Sequence, residues 1–159
     1  MERRLKVAMF LGIALVMTSI GLAVATPPQG AAATPLVRGT LAAGDKIYTD
    51  FLKLKVADDI DVVTHAITIV PGGNTGWHSH PGPVFVTIGA GTMTFVYADS
   101  PNCTPVIYEA GDSFIDPGGG RVHIARNQGS TDLVLSATYL VPVGAGVRID
   151  AADPGRCGA

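Results

Sequence analysis

The chain has 159 residues, of which 47% are apolar, and a formal net charge of −2. This length suits one domain with a substantial core and is too short for two. Acidic residues slightly outnumber basic ones, so the chain lacks the excess of basic residues that is typical of nucleic-acid-binding proteins. We therefore expect no nucleic-acid partner.

The first 25 residues have the pattern of a secretory signal peptide. Three basic residues within the first six positions precede a long apolar run, which ends in Ala-Val-Ala at Ala25. The run is nearly as long as a membrane span, so an uncleaved anchor is the alternative. Cleavage is favoured because Pro27 and Pro28 follow at once and would end a helix. We therefore expect a mature chain of 134 residues with a formal charge of −4, secreted or otherwise extracytoplasmic and without a stable membrane span.

Residues 26–44 are rich in proline, alanine and glycine and show little periodicity. This composition predicts a flexible lead-in segment between the signal peptide and the folded domain.

From residue 45 onward, short runs of residues that favour β-strands alternate with clusters of turn residues. No helical pattern of ten or more residues appears in this part of the chain. We therefore predict an all-β sandwich or barrel over residues 45–150, followed by a C-terminal tail over 151–159. The predicted strands are 47–56, 61–70, 84–88, 92–97, 105–108, 113–115, 123–126, 133–141 and 147–149.

The two cysteines, Cys103 and Cys157, both follow the signal segment. An even pair in an exported chain favours a structural disulfide, which would add about 4 kcal/mol of stability by restricting the unfolded chain. The alternative is a thiol-metal or redox site, although the two residues do not form a Cys-x-x-Cys motif.

Two of the four histidines, His78 and His80, are separated by a single residue. Residues i and i+2 of a strand face the same side, so both imidazoles could point into a barrel toward one ion. His123, in another predicted strand, could add a third nitrogen. Three neutral imidazoles suit a divalent transition metal such as Zn, Fe, Ni, Cu or Co, and they do not suit Ca or Mg. The alternative is that these histidines are ordinary polar residues beside a turn.

These histidines lie in two segments that resemble the two motifs of the cupin superfamily. The first motif has a glycine before His-x-His, and the second has a glycine, a proline and a further glycine before a histidine and an asparagine. The resemblance covers about residues 45 to 149 and implies a small single-domain cupin of the exported bacterial type. The fold it implies is a double-stranded β-helix, or jelly roll, with His78, His80 and His123 as metal ligands. The matching positions are Gly72, His78-Ser79-His80, Gly111, Pro117, Gly119, His123 and Asn127.

Two positions depart from the cupin pattern. Val84 stands where the family has a glutamate ligand, so the site is expected to lose its anionic ligand and to bind metal more weakly. One extra residue lies between Gly119 and His123, and His123 is assigned because Asn127 follows at the right interval. Three nearby groups could supply a substitute oxygen, although ordinary turn and surface roles are the alternative: Asp116, Glu109 and Tyr97.

Four other residues near these motifs are assigned structural roles. We expect His65 to be a core residue and Trp77 to cover the rim of the site, with its N–H bonded to a partner or to water. Arg121 and Arg126 flank His123 and are expected to be solvated charges at strand edges.

Two classes of function follow from the resemblance. The first is a metal-dependent enzyme of the oxygenase or isomerase kind, acting on a small organic substrate through residues that the sequence does not identify. The second is a non-catalytic barrel that binds or senses a small molecule without metal, because one fold hosts many chemistries. A homodimer is compatible with either class. The apolar pocket predicted for both is lined by Val84, Val86, Ile88, Phe95 and Phe114.

Overall fold

The computed structural model describes residues 24–157, so most of the predicted signal segment and the last two residues lie outside it. Within the described part, no helix has the length and hydrophobicity of a membrane span. Twelve strands and one 3₁₀ turn, Pro101–Cys103, account for the regular structure there. The strands are β1 (Gln29–Leu41), β2 (Lys46–Tyr48), β3 (Lys53–Lys55), β4 (Ile60–Asn74), β5 (His78–Ser79), β6 (Val84–Ala90), β7 (Thr92–Tyr97), β8 (Val106–Glu109), β9 (Ser113–Asp116), β10 (His123–Arg126), β11 (Leu133–Pro142) and β12 (Ile149–Asp150).

Ten of these strands form one sheet that curls into two halves. One half has the order β1-β4-β11-β6-β9, and the other has the order β12-β5-β10-β7-β8. The halves are joined where Arg126 of β10 pairs with Asn74 at the end of β4. The result is a nearly closed barrel, which confirms the predicted all-β jelly-roll fold.

The core lies between the two halves of the sheet. Its residues alternate along the strands with residues that face outward. In β6 and β11, every second side chain is buried and the residues between them face outward. Met93 and Phe95 of β7 and Ala125 of β10 complete the core from the other half. The period-2 apolar pattern therefore fixes which face of each strand points inward.

The flexible lead-in predicted over 26–44 is wrong for most of its length. Gln29–Leu41 forms β1, which pairs antiparallel with β4 over nearly its whole length. Most β1 side chains are exposed, so the strand lacks the apolar alternation by which strands are identified. A register shift follows Pro35, at a point where a missing proline N–H is tolerated. The barrel therefore begins at β1 rather than at residue 45.

The buried carboxylate of Asp61, in β4, connects β1 to the rest of the barrel. Arg38 Nη1 donates to Asp61 Oδ2 at 2.5 Å, and the Thr40 hydroxyl donates to Oδ1 at 3.0 Å. The Gly144 amide donates to Oδ2 at 2.9 Å. The Gly144 bond, with those from Thr40 and Arg38, holds the pKa of the Asp61 carboxyl below its ordinary value despite burial.

Two predicted strands differ in detail from the structure. The single strand predicted over 47–56 is a hairpin of β2 and β3, because the Thr49 amide and hydroxyl bond with Leu52 and reverse the chain. The strand predicted over 61–70 continues to Asn74, where Gly72 adopts a φ of 77° that favours glycine.

Candidate metal centre

The three histidines of the two motifs meet in the interior of the barrel. His78 lies in β5 directly opposite His123 at the start of β10, and His80 follows two residues after His78. Their ring centroids are 4.4 to 5.0 Å apart, and all three residues are at most 6% exposed. One ligand atom from each lies within 4.8 Å of those of the other two, close enough to hold a metal ion.

Hydrogen bonds fix the tautomer of each imidazole. His78 Nδ1 lies 2.9 Å from the Gly76 carbonyl oxygen, and His80 Nδ1 lies 2.5 Å from the Val147 carbonyl oxygen. His123 Nδ1 lies 3.2 Å from the Arg121 carbonyl oxygen. A carbonyl oxygen only accepts, so each Nδ1 must carry the proton. In the neutral form of each imidazole, Nε2 then keeps the lone pair that a metal ion requires.

The carboxylate of Asp116 contacts the Nδ1 side of the His123 ring. Asp116 Oδ2 lies 3.0 Å from His123 Nδ1, and both side chains are buried. The Gly118 amide donates to Asp116 Oδ1 at 2.6 Å, and the Tyr97 hydroxyl lies 3.5 Å from Oδ2. Burial disfavours the charge of Asp116, but the contacts with His123 and Gly118 outweigh it and lower the pKa of the carboxyl. The arrangement is that of a carboxylate orienting a metal-binding histidine.

Burial also keeps the other two histidines neutral. Removal from water, together with the neighbouring His123 imidazole, lowers the pKa of His78 to about 2 and that of His80 to about 4. Neutral imidazole is the form that binds metal, so both side chains are in that form at neutral pH.

At the position of the expected glutamate, the structure has Val84 with Asp116 opposite it. Val84 is buried at the start of β6 and lies directly opposite Asp116 of β9. Asp116 was one of the three predicted oxygen donors. It lies opposite Val84 in the β6–β9 pair, and its carboxylate contacts His123. The hydroxyl of Tyr97 also lies near the Asp116 carboxylate, whereas Glu109 is exposed and lies outside the site.

An apolar cavity adjoins the histidines. Val84, Val86, Phe95 and Phe114 line it as predicted, and the Phe95 ring lies 4.8 Å from that of His123. Ile88 does not line the cavity, because it lies farther along β6 and is buried in the core. The wall from β11 was not predicted, although the strict apolar alternation of that strand indicates an inward-facing row of side chains. That wall consists of Leu135, Ala137 and Tyr139.

Trp77 does not cover the rim of the site. It is fully buried in a second apolar cluster with Val96 and Ile124, and its Nε1 has no hydrogen-bond partner within the described residues. Arg121 is a surface charge as expected, because its guanidinium binds Asp99 and lies over the Tyr97 ring.

His65 and Asn127 lie outside the histidine cluster. His65 contacts the ring of Tyr139, which in turn contacts His80. The buried Asn127 amide donates to the carbonyls of Ile69 and Thr131 and has a structural role.

The two cysteines form the predicted pair. Their sulfur atoms are 2.01 Å apart, which ties the segment after β7 to the C-terminal segment. Within the described residues there is therefore no thiol available for metal or redox chemistry.

Comparison with known proteins gives matches of low sequence identity among the solved structures. No protein of curated function matches the chain in sequence. A cupin domain from Bordetella pertussis is 20% identical, over 70% of this chain and 94% of that chain, with a TM-score of 0.47. A conserved protein with a double-stranded β-helix domain from Klebsiella pneumoniae is 23% identical, over 71% and 90%, with a TM-score of 0.48. The DMSP lyase of Ruegeria pomeroyi is 18% identical, over 55% and 42%, with a TM-score of 0.48.

A family model for the cupin domain matches residues 65–141. This range holds all three histidines of the cluster and most of the strands around them. The family match and the nearly closed jelly-roll barrel support a small barrel domain of the cupin superfamily.

Proposed function

We propose that His78, His80 and His123 bind one divalent transition metal ion, and that the adjoining cavity binds a small organic molecule. The observation that carries this proposal is the hydrogen bonding of all three Nδ1 atoms, which leaves three Nε2 lone pairs within one buried cluster. The donor set fits the borderline ions Zn, Fe, Ni, Cu and Co, because it consists of neutral nitrogen ligands only.

A bound metal would supply Lewis-acid activation of a substrate held beside it. The chain's own residues position and protect that site. Asp116 fixes the His123 ring, and the phenylalanine walls limit the entry of water. A set of three protein ligands is typical of catalytic metal sites, which keep a coordination position open.

A non-catalytic binding barrel without metal is the second candidate. It is favoured by Val84, which removes the family's anionic ligand, and by the apolar lining of the cavity. We further propose that the protein is exported, because the first 25 residues resemble a signal peptide and a disulfide is typical of oxidising compartments.

Calorimetric titration of Zn, Ni, Co and Cu into metal-stripped protein tests the metal centre. We expect one ion per chain for the wild type and loss of binding for His123→Ala. His65→Ala is the matched control, because it removes a histidine outside the cluster, and it should bind as the wild type does. Val84→Glu should bind more tightly, since it adds an anionic group to the wall of the cavity.

Equal affinities for wild type and His123→Ala would contradict the three-histidine site. If neither the wild type nor Val84→Glu binds any of the ions, the metal-free binding barrel replaces this proposal.

A further inference from the structure

The β2–β3 hairpin forms a two-stranded sheet of its own, and no strand of the barrel pairs with it in the described part of the chain. All residues of both strands are exposed. At the turn between them, Phe51 is 90% exposed and Leu52 is 44% exposed. Neighbouring apolar side chains left in water in this way mark a surface that binds a partner.

One face of the hairpin is basic. Lys46 pairs directly with Lys55, and Tyr48 pairs directly with Lys53. Opposed residues of an antiparallel pair project to the same side, as do residues i and i+2 of one strand. The three lysines and Tyr48 therefore share a face that carries no acidic side chain within the two strands. They are the only lysines among residues 24–157.

The opposite face of the hairpin turns toward the chain's own barrel. Ile47 pairs with Leu54, and both line an apolar groove with Leu41 at the end of β1. Val56 lines the same groove and is buried, and its amide donates to the Asp45 carbonyl at the base of the hairpin. The lysine face is therefore the one that remains free to meet a partner.

Two features of the hairpin are unfavourable while it faces only water. Lys46 and Lys55 lie directly opposite each other, and like charges in that position destabilise an antiparallel pair. The Phe51 ring is almost wholly in water, so it contributes nothing to the core. A partner that brings negative charge to the lysines and an apolar phase to Phe51 would relieve both.

A lipid surface offers that combination. A soluble polyanion would neutralise the lysines but leave the apolar turn in water. A second copy that met this face through its own hairpin would oppose lysine to lysine. The boundary between anionic head groups and acyl chains supplies both kinds of contact. It suits lysine stems, and it also suits tyrosine, which concentrates at that depth.

We propose that the β2–β3 hairpin binds the surface of a bilayer that contains anionic phospholipid. The three lysines face the phosphate groups, and Phe51 enters the acyl boundary without any strand crossing the membrane. Residues 46–55 hold three lysines against one aspartate, Asp50, a formal charge of +2. The rest of the mature chain is acidic, so a negative surface repels it and turns the hairpin forward.

Co-sedimentation with vesicles tests this proposal. The vesicles contain phosphatidylcholine with an equal amount of phosphatidylglycerol, or phosphatidylcholine alone. The mature chain from Thr26 is used, because the apolar segment 7–25 would itself insert into a bilayer, and it contains every described strand. We expect binding to the mixed vesicles, weakened more than tenfold without phosphatidylglycerol. It should weaken similarly in about 1 M salt, where the Debye length is about 3 Å.

Substitutions of exposed side chains separate the two kinds of contact. Phe51→Ser should weaken binding to the mixed vesicles on the order of tenfold, because the inserted ring is lost. Val143→Ser, at a residue 57% exposed outside the hairpin, is the matched control and should bind as the wild type does. Lys53→Gln should weaken binding about fivefold, whereas Lys53→Arg keeps the charge and should not.

Wild type that binds neither kind of vesicle, or binds both alike, would overturn the proposal. So would equal binding by Phe51→Ser and Val143→Ser, or by Lys53→Gln and Lys53→Arg. Sedimentation equilibrium without lipid provides a separate measurement. If the wild type self-associates, Phe51→Ser is a monomer and no vesicle is bound, the hairpin is an interface between copies of the chain and the lipid surface is wrong.

Discussion

At the scale of single residues, Asp116 acts on the site through its contact with His123. Its carboxylate contacts His123 Nδ1, and the Gly118 amide holds its other oxygen. The carboxylate accepts from the ring nitrogen and so restricts the rotation of the imidazole. Asp116 is therefore a positioning residue for the proposed metal ligand.

Replacing Asp116 with asparagine should weaken metal binding by about 10- to 100-fold, the cost typical of losing such a partner. The change keeps the size of the side chain and an oxygen for Gly118, so the fold should be kept. Zinc affinity measured by competition with a chelator checks the prediction, and the His123 imidazole resonances should report greater ring motion.

Asp132→Asn is the control, because Asp132 is exposed and lies outside the site. Equal zinc affinity in Asp116→Asn and Asp132→Asn would show that the carboxylate does not act on the metal centre.

Strand parity predicted that His78 and His80 face the same side, and the resemblance to the second cupin motif implied His123 as the third ligand. Asp116 was foreseen only as one of three oxygen donors, since its position opposite Val84 depends on the pairing of β6 with β9. The pairing of β12 with β5 was not foreseen, because it joins segments about 70 residues apart in the chain.

At the scale of elements, β1 is attached through backbone pairing with β4 and through Asp61. The pKa of the Asp61 carboxyl is lowered by the Gly144 amide, Thr40 and Arg38. A group whose pKa is lower in the folded state stabilises the fold above its unfolded pKa, about 3.9. That contribution is lost as the pH falls through the lower, folded value.

We therefore expect Asp61→Asn to lower the urea midpoint of unfolding at neutral pH. The single oxygen of asparagine can still accept from the Gly144 amide, and its NH2 group can donate to the Thr40 hydroxyl, so the loss reports mainly the charge that faces Arg38. The difference from the wild type should be full above about pH 5 and should shrink as the pH falls below about 3.9. A difference that stays constant down to pH 2 would show that the charge of Asp61 does not stabilise the fold.

The elements were predictable where they carry apolar alternation and unpredictable where they do not. β7 and β10 have the predicted bounds, because their inward residues form part of the core. β1 was missed because an edge strand is stabilised by backbone hydrogen bonds, which leave no trace in side-chain composition. The β2–β3 hairpin was missed because the turn at Thr49 contains neither glycine nor an Asn-Gly pair.

At the scale of the whole molecule, export and the disulfide can be tested together. We expect protein recovered from the extracytoplasmic fraction to have the mass of a chain that begins at Thr26 or a few residues beyond. Its mass should increase by two hydrogen atoms on reduction, because Cys103 and Cys157 are joined. Intact-mass measurement before and after reduction checks both points, with thiol labelling of unreduced, denatured protein as the control.

A full-length chain in the membrane fraction would show instead that the apolar segment is an anchor. Two labelled cysteines before reduction would show that the pair is not joined in the exported protein.

The short strand β5 has a consequence for when the proposed metal site forms. His78 is held between β10 and β12, the amide of Trp77 donates to Thr26 Oγ1, and His80 is oriented by Val147. Contacts between such distant parts of a chain form late and slowly during folding. A growing chain that has not reached Val147 therefore cannot present the three imidazoles as one site. The identity of an ion bound at the proposed site would then depend on the metals available in the compartment where folding finishes. It would not depend on the metals present where synthesis begins.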